Sequence, residues 1–408
     1  MAQIIAGVDT HKDTHYAAVI SLHGEHLSAV QFPATKAGYQ ALTAFITCQG
    51  ELLRVGIEGT NSYGAGLTRH LQARNIEVVE VIRPAKVVRR MKGKSDAIDA
   101  YTAAHTALTH QDVVTPKTSI GTVEAIRVIH AGRRSALKAH AEVVTQIKSL
   151  LVTAPEKVRA QYQSLSTKKL VGQLAASHTH VRADCVETAT RSTLKRLAKR
   201  YIYLDEEITI CEGELQALVE QVNTALTAVR GVSTIIASQL LITAGDNPER
   251  LHSEAAFAAL CGVSPLPASS GQTNRFRLNR GGDRAANSAL YQIALVRMAS
   301  DPMTKIYVAK RTADGKTKKE ILRCLKRAIA REVFHLLTNP QPVLHGKDLR
   351  AFRLEIGLTL TAAAQFLDCD LNRLSRLERG ITKDQKRALE YQKWLTDYQQ
   401  LQTLKTVA

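Results

Sequence analysis

The sequence is poor in aromatic residues, in clustered cysteines and in long apolar runs. Aromatic residues make up 5% of its 408 residues, which suits helices built from leucine, alanine and valine better than a β-sandwich. The six cysteines lie far apart without a CxxC pair, so neither a zinc knuckle nor a disulfide framework is indicated. No apolar run approaches the ~20 residues of a membrane-spanning helix.

Acidic residues are also in deficit, and this deficit indicates the kind of partner. The chain has 55 lysines and arginines against 37 acidic residues, giving a net charge of +18 and favouring a polyanionic partner, nucleic acid above all. Residues 1–9 have no basic segment and reach Asp9 too early for a signal peptide, so we expect a cytoplasmic protein. The length predicts two to four structural units.

The first predicted unit, residues 1–112, alternates short strands with helices. The order is βββαβαβα, which is that of a ribonuclease-H-like domain. Ser95 has the position of an N-cap before the last helix. The predicted strands are 4–8, 16–22, 26–32, 52–57 and 76–82, and the first two predicted helices are 36–47 and 62–74.

Four acidic residues fall at chemically suggestive places in this unit. Asp9 and Glu58 end two predicted strands, while Asp96 and Asp99 share one face of the last helix. Each acid by itself could be structural, but four carboxylates at one crevice would repel unless divalent cations lay between them. Mg²⁺ is the expected ion, and Asp9, Glu58, Asp96 and Asp99 are its predicted ligands.

Two further features flank these acids. His11 and His15 lie on a predicted hairpin with no third ligand nearby, so we interpret them as surface histidines rather than as a metal pair. A loop with six cations and no acid precedes the acidic helix, and it either holds a phosphate backbone or is merely a charged loop. Its basic residues are Arg83, Lys86, Arg89, Arg90, Lys92 and Lys94.

Residues 113–228 are predicted to be helical. A long helix covers 123–151, and apolar residues then recur with spacing 3,4,3,4 for four heptads, which indicates a coiled-coil seam. The seam closes on a helix of the same chain, on another protomer, or on its own domain as one face of a long amphipathic helix. Its residues are Leu194, Leu197, Tyr201, Leu204, Ile208, Cys211, Leu215, Leu218 and Val222.

The third unit, 229–338, contains the most chemically suggestive stretch. Ser269, Ser270 and Gly271 precede a cluster of arginines and a predicted helix at 287–299. A hydroxyl beside a flexible glycine, close to guanidinium groups that clamp phosphate, suits a nucleophile acting on a phosphodiester. The candidate phosphate-binding residues are Arg275, Arg277, Arg280 and Arg284. A second, strongly basic helix is predicted at 316–334.

These motifs in this order resemble the DEDD-type transposases of the IS-one-ten and IS-eleven-eleven insertion sequences. The resemblance covers residues 1 to about 338 and rests on Gly7-Val8-Asp9, Gly56-Ile57-Glu58, the acidic helix start and the Ser270-Gly271 stretch. It implies an α/β RuvC-like domain that binds Mg²⁺ through the four acids, a helical coiled-coil middle, and a mainly helical transposase domain with a nucleophilic serine. We assign the nucleophile to Ser270, and adjacent Ser269 stays an alternative.

The resemblance also implies partners and a reaction. A structured bridge RNA from the element would pair with donor and target DNA, and protomers would assemble into dimers and tetramers with composite sites. Serine attack would leave a covalent phosphoserine that conserves bond energy for rejoining, so no external energy source is required. Two alternatives remain: a metal-dependent junction nuclease in which Ser270 is structural, and a non-enzymatic nucleic-acid-binding regulator.

The tail, 348–400, resembles a Cro/repressor-type helix-turn-helix. Two predicted helices, 361–367 and 371–379, have the expected apolar spacing, and Asn372, Arg373 and Arg376 would face a groove of DNA. Leu360 replaces the usual DNA-contacting glutamine and Asp368 the usual turn glycine. Docking onto RNA, onto the DNA backbone or onto a neighbouring protomer therefore stays an alternative to base reading.

Overall fold

The chain forms two compact units. The computed structural model describes residues 2–81, 95–109, 113–178, 185–269, 276–340, 343–382 and 384–407. The first unit comprises residues 1–124 with 244–252, and the second comprises 125–243 with 253–408. Within the described ranges, none of the helices combines the length and apolarity needed to cross a membrane.

The first unit is built on a mixed six-stranded sheet with the order β3-β2-β1-β4-β5-β6. Strand β1 pairs antiparallel with β2 and parallel with β4, which pairs parallel with β5. The order βββαβαβα agrees with the prediction, whereas the short antiparallel strand β6 was not predicted because two residues carry no periodicity. The strands are β1 (Gln3–Thr10), β2 (Thr14–Ser21), β3 (His26–Pro33), β4 (Glu51–Ile57), β5 (Val78–Val81) and β6 (Val113–Val114).

Helices cover both faces of this sheet. On one face, helices α1 (Lys36–Thr47) and α2 (Ala65–Gln72) bury Leu42 and Leu67 in a cluster with apolar residues of β1, β2 and β4. Helix α3 (Asp96–Thr109) packs on the other face through Ala104 and Ala107. A sheet covered on both sides explains why β1 reads as a nearly continuous apolar run.

The second unit begins with long helices. The predicted seam lies on α7, and its first five residues pack against α4, α5 and α6 of the same chain. Residues 154–178, which lack clear periodicity, contribute two short helices to this core. Of the three arrangements, packing within the chain therefore accounts for the first half of the seam. The helices are α4 (Thr122–Val152), α5 (Glu156–Tyr162), α6 (Thr167–Ala176), α7 (Val186–Val222) and α8 (Thr224–Ala228).

The next part of this unit is helical apart from one small hairpin. Strand β7 (Pro265–Pro267) pairs antiparallel with β8 (Phe276–Leu278), and neither strand was predicted. Helix α12 was also not predicted. The helices are α9 (Thr234–Ala244), α10 (Glu254–Leu260), α11 (Arg284–Ser300), α12 (Pro302–Ala313) and α13 (Lys318–Thr338), and a short 3₁₀ helix spans Pro248–Arg250.

Four helices complete the chain around a core of their own. Tyr391 is its largest fully buried side chain, and Trp394 stacks on Phe366 with ring centroids 4.7 Å apart. The two predicted helices of the tail lie within one residue of their expected bounds. The four are α14 (Gly346–Glu355), α15 (Leu360–Phe366), α16 (Leu371–Glu378) and α17 (Gln385–Val407). The division of the chain into four parts at 112, 228 and 338 stays a prediction.

Candidate active site

Two glycines of the sheet determine where helix α3 lies. A Cβ on Gly7 would stand 2.1 Å from the backbone nitrogen of Ala104, and one on Gly56 would stand 2.7 Å from the backbone oxygen of Ala103. Only glycine at both positions lets the alanine-lined face of α3 reach the strands. Since Gly7 and Asp9 point to the same face of β1, the first turn of α3 comes to lie over the carboxyl ends of β1 and β4.

This packing brings carboxylates together around Asp9. The Asp9 side chain is 8% exposed, and burial raises the pKa of its carboxyl above the ordinary value. The negative charges of Glu58, Asp99 and Asp96 raise that pKa further. All three predicted partners are therefore close enough to act on Asp9. We call Asp9, Glu58, Asp96 and Asp99 the acid cluster.

His11 belongs to this site, although its role was not predicted from the sequence. Its Nε2 atom lies 3.2 Å from Oδ2 of Asp9 and 3.4 Å from Oδ1 of Asp96, and it lowers the pKa of Asp9. Asp9, His11 and Asp96 each offer one ligand atom, and these three atoms all lie within 4.8 Å of one another. The available signal was the Asp-x-His spacing, which places both side chains on the same face of an extended chain.

The prediction that His15 lies on the surface was wrong. His15 is 0% exposed, and its ring stacks almost parallel on Tyr39, with centroids 5.6 Å apart. Burial lowers the pKa of its imidazole, and neither ring nitrogen has a hydrogen-bond partner among the described residues. His15 points to the same face of β2 as the buried apolar residues two and four positions further along. The two-residue period of a strand therefore places its side chain in the core.

The residues of the acid cluster fit a divalent cation. Carboxylate oxygens are the ligands that Mg²⁺ prefers, and the imidazole of His11 adds a nitrogen that suits transition metals. Burial is the main cause of the raised pKa of Asp9, and the neighbouring carboxylates add to it, so a cation between the carboxylates would offset part of this cost. This crevice can therefore hold a divalent cation.

The predicted nucleophile Ser270 lies outside the described residues, as do Gly271 and Arg275. The described chain ends on one side at Ser269, which is exposed, and resumes at Phe276 on β8. Arg277, Arg280 and Arg284 are exposed, as a phosphate contact requires. The predicted basic loop, with Arg83, Lys86, Arg89, Arg90, Lys92 and Lys94, also falls outside the described residues.

The Gly-Gly-Asp sequence after Arg280 has a structural role. Gly282 has φ +82, and a Cβ there would stand 2.5 Å from the backbone oxygen of Leu260. Asp283 caps α11 by accepting hydrogen bonds from the backbone N–H groups of Ala285 and Ala286, and it also accepts one from Oγ1 of Thr243. These contacts fix the start of α11 against the end of α10.

Two transposase family models match this chain. A DEDD-type transposase model of IS110 matches residues 6–154, and a model described as the transposase IS116/IS110/IS902 family matches residues 223–309. Together they cover more than half of the sequence. The chain belongs to the IS110 family of transposases.

Two relatives of this IS110-family transposase come from bacterial insertion elements. An uncharacterized 42 kDa protein of insertion element IS900 from Mycobacterium paratuberculosis is 25% identical over 380 residues, covering 80% of this chain and 94% of that protein. An uncharacterized 43.6 kDa protein of IS110 from Streptomyces coelicolor is 30% identical over 144 residues, or 35% of each chain.

The matched ranges contain the chemically suggestive residues of the transposase. All four members of the acid cluster fall in the first range, and Ser270 with Arg277, Arg280 and Arg284 falls in the second. Transposases of this family act on DNA, and those with a DEDD set typically depend on a metal. The comparison therefore assigns the chain to DNA transposition.

Helices α14–α17 of the transposase lie beyond both matched ranges. Within them, Arg353 makes a buried bidentate pair with Glu378, with contacts of 2.7 and 3.0 Å, and the hydroxyl of Tyr391 donates to the same carboxylate. This network holds α16 against α14 and α17. Asn372, Arg373 and Arg376 are exposed on α16, and Arg373 pairs with Asp384 at 3.3 Å.

Proposed function

We propose that this transposase cuts and rejoins DNA through a covalent phosphoserine at Ser270, with Mg²⁺ held by Asp9, Glu58, Asp96 and Asp99 in a RuvC-like domain. The observation that carries the proposal is geometric: one ligand atom from each of Asp9, His11 and Asp96 lies within 4.8 Å of the others. Burial raises the pKa of the Asp9 carboxyl, and the nearby charges of Glu58, Asp99 and Asp96 raise it further. Such a set is electrostatically costly by itself, and a catalytic cation is its usual explanation. When bound, Mg²⁺ supplies charge neutralisation at the phosphate and at the displaced oxygen.

The side chains of the protein would perform the remaining steps. The hydroxyl of Ser270 loses its proton and attacks the phosphorus, and a bond from phosphorus to the serine oxygen forms. The bond from phosphorus to one sugar oxygen breaks, and that oxygen takes up a proton and leaves as a hydroxyl. The exposed guanidinium groups of Arg277, Arg280 and Arg284 bind neighbouring phosphates and hold the strand in register. In the second half of the reaction, a sugar hydroxyl attacks the phosphoserine and releases Ser270, which conserves the phosphodiester.

The serine is tested by trapping the covalent intermediate. Ser270→Ala should abolish denaturation-resistant protein–DNA adducts while DNA binding measured by gel shift stays intact. Ser269→Ala is the matched control, since it removes a hydroxyl one residue away, and it should keep the adduct. Loss of the adduct in the Ser269→Ala variant alone would transfer the role to that residue, and adducts in both variants would refute the serine mechanism.

A junction nuclease is the second candidate, favoured by one observation: the described crevice contains acids and a histidine, which by themselves suffice for hydrolysis by activated water. In that reaction Ser270 is structural and strand cutting leaves free ends. Products of a labelled four-way junction, resolved after protease treatment, separate the two candidates. Free ends formed equally by wild type and by Ser270→Ala would favour the nuclease.

RNA guidance is the third element of the proposal. The net charge of +18 gives the chain capacity for a second polyanion besides DNA. A bridge RNA from the same element would specify donor and target DNA by base pairing, so the protein itself would need few base contacts. Sequencing RNA that copurifies with the transposase tests this. Enrichment of a non-coding segment flanking the gene is the expected result, and total RNA without enrichment would contradict it.

Self-assembly is proposed through the outward face of α7. Lys199, Tyr203, Glu206 and Ile210 are exposed along it at heptad spacing, and Gly213 continues the stripe. Basic residues lie before Tyr203 and acidic residues after it, so a second copy running antiparallel would bring Lys199 opposite Glu214. Lys199→Glu or Glu214→Lys should dissociate the dimer in analytical ultracentrifugation, and the double variant should restore it. A double variant that stays monomeric would refute this surface.

The last four helices are proposed to form a helix-turn-helix unit that contacts nucleic acid through Asn372, Arg373 and Arg376. Their exposure on α16, held by the buried pair of Arg353 and Glu378, supports the proposal. Arg376→Ala should weaken binding to the element's own DNA without affecting the acid cluster. Equal weakening on unrelated DNA would indicate backbone contact instead of base reading.

A further inference from the structure

The second unit contains a groove that shares Arg277 with the proposed serine site, and that site does not use the other residues of its lining. It lies between the β7–β8 hairpin and helices α12 and α13, and its volume is about 870 Å³. Seven of its lining residues are lysines or arginines, against a single acid, Glu320. We call this feature the basic groove.

Part of this positive charge is compensated within the protein. Arg311 pairs with Asp314 at 3.3 Å, and Arg327 and Arg331 pair with Glu254 at 3.2 and 2.7 Å. The carboxylate of Glu320 accepts a hydrogen bond from the backbone of Thr317, in a capping box at the start of α13.

Four cations of the basic groove form no ion pair within the described residues: Arg277, Lys316, Arg323 and Lys326. Burial lowers the pKa of Lys326, and the charge of Arg323 lowers it further, so cations are crowded here. Seven crowded cations against one acid, Glu320, indicate a site for an anion of more than one charge.

Aromatic side chains line the same groove. Phe276 is 67% exposed, so most of its phenyl surface is open to contact with a ligand. Tyr307 lies under the guanidinium of Arg311, whose carbon is 5.3 Å from the ring centroid. The exposed ring of Phe276 beside cations is the combination that binds single strands, because a base stacks on the ring while phosphates contact the cations.

A duplex fits this combination less well than an unpaired strand does. Bases inside a duplex present only their edges, so a ring such as Phe276 finds no base face to stack on. An unpaired strand exposes those faces at every nucleotide. The chemistry of the basic groove therefore selects unpaired over paired nucleic acid.

We infer that the basic groove binds an unpaired nucleic-acid strand, with a base against Phe276 and phosphates at Arg277, Lys316 and Arg323. In the sequence, Ser270 falls between strands β7 and β8, which border the basic groove. Its use in strand transfer rests on the proposed function, whereas the binding itself does not.

The inference is tested by binding measurements on the full-length protein in EDTA, where cutting is blocked. Fluorescence anisotropy gives the dissociation constants of three probes of one sequence: single-stranded DNA, single-stranded RNA and duplex DNA. Because binding is read without cleavage, failure of the serine mechanism and failure of this inference are distinguishable.

Phe276→Ala is the decisive variant, and Ile306→Ala is its control. Ile306 is 63% exposed on α12 next to Tyr307 and does not line the groove. Loss of one stacked base should weaken single-strand binding about tenfold and leave duplex binding within about twofold. Phe276→Trp should restore the affinity, and Ile306→Ala should match wild type.

Arg323→Gln tests the phosphate contact. For single strands, the slope of log affinity against log salt should become shallower by about 0.7. Lys319→Gln is the matched control, since Lys319 is exposed on the same helix and lies outside the groove lining.

Each outcome decides the inference. Selective loss on single-stranded DNA identifies a cut or displaced strand, and selective loss on RNA identifies the guide, so either supports the groove. Equal loss on duplex DNA would overturn it in favour of duplex docking. Unchanged affinity for every probe, in variants that melt like wild type, would remove nucleic acid from this groove altogether.

Discussion

The acid cluster and the basic groove show two ways in which a chain concentrates charge of one sign. In the acid cluster, carboxylates from three elements of a sheet unit converge on the buried Asp9, and burial raises its pKa. In the basic groove, cations from a hairpin and two helices surround open solvent. The difference is one of burial: like charges in the first site interact strongly and need a counter-ion, whereas solvent screens much of the repulsion in the second.

The largest effect is expected when the negative charge of Asp9 is removed from the acid cluster. Asp9→Asn removes the central acid, so strand cutting should fall by about three orders of magnitude or more. The apo variant should also melt higher than wild type, because burial and three neighbouring carboxylates disfavour the Asp9 charge. Asp13→Asn, an exposed acid on the same hairpin, is the control and should change neither quantity.

Calorimetry with and without Mg²⁺ completes this test. Wild type should gain stability on addition of the ion, and Asp9→Asn should gain less. An Asp9→Asn variant that melts lower than wild type in the absence of metal would show that the carboxylates do not repel one another.

In the second unit, the tight turn at Gly282 tests backbone geometry rather than charge. Gly282→Ala places a Cβ 2.5 Å from the backbone oxygen of Leu260 at φ +82, so the loss of stability should reach about 3 kcal/mol. Gly315→Ala is the matched control, with φ +78 and nothing within 4 Å of its Cβ, and should cost about 1 kcal/mol. Denaturant unfolding gives both values. Equal costs would mean that the turn adapts.

A pH titration separates the buried histidine of the first unit from the charged sites. The pKa of His15 is lowered by burial, so the unfolded state binds the proton more tightly than the folded state does. Stability should therefore fall as pH drops below about 6.5 and level off once the folded pKa is passed. His15→Phe should flatten this dependence in denaturant unfolding at a series of pH values, and an unchanged slope would assign it to other groups.

The smallest expected effect concerns His11. Its imidazole offers a nitrogen beside Asp9 and Asp96, and nitrogen ligands favour transition metals over Mg²⁺. His11→Ala should weaken Mn²⁺ binding severalfold in isothermal titration while Mg²⁺ binding changes less. Equal weakening of both ions would make His11 a positioning residue for the carboxylates, and no weakening of either would exclude it as a ligand.

Sequence patterns determined much of the first unit, because its signals are local. The strand order follows from short apolar runs, and the ends of two of these runs placed Asp9 and Glu58 at strand ends. Helix α1 was predicted with its observed bounds, since Thr35 caps it and its apolar period is regular. The helix carrying Asp96 and Asp99 also begins where Ser95 predicted.

Only the tertiary structure decided the contacts between segments that are distant in sequence. His11 joins Asp9 and Asp96 because Gly7 and Gly56 let α3 approach the sheet, and no local pattern records that approach. The basic groove is formed by the β7–β8 hairpin together with helix α12. These two elements are distant in sequence, so no local pattern indicates that they lie close together. Periodicity determines which face of a helix or strand is apolar. Packing determines which charged faces come to lie next to one another. The charge environments of the acid cluster and the basic groove result from packing.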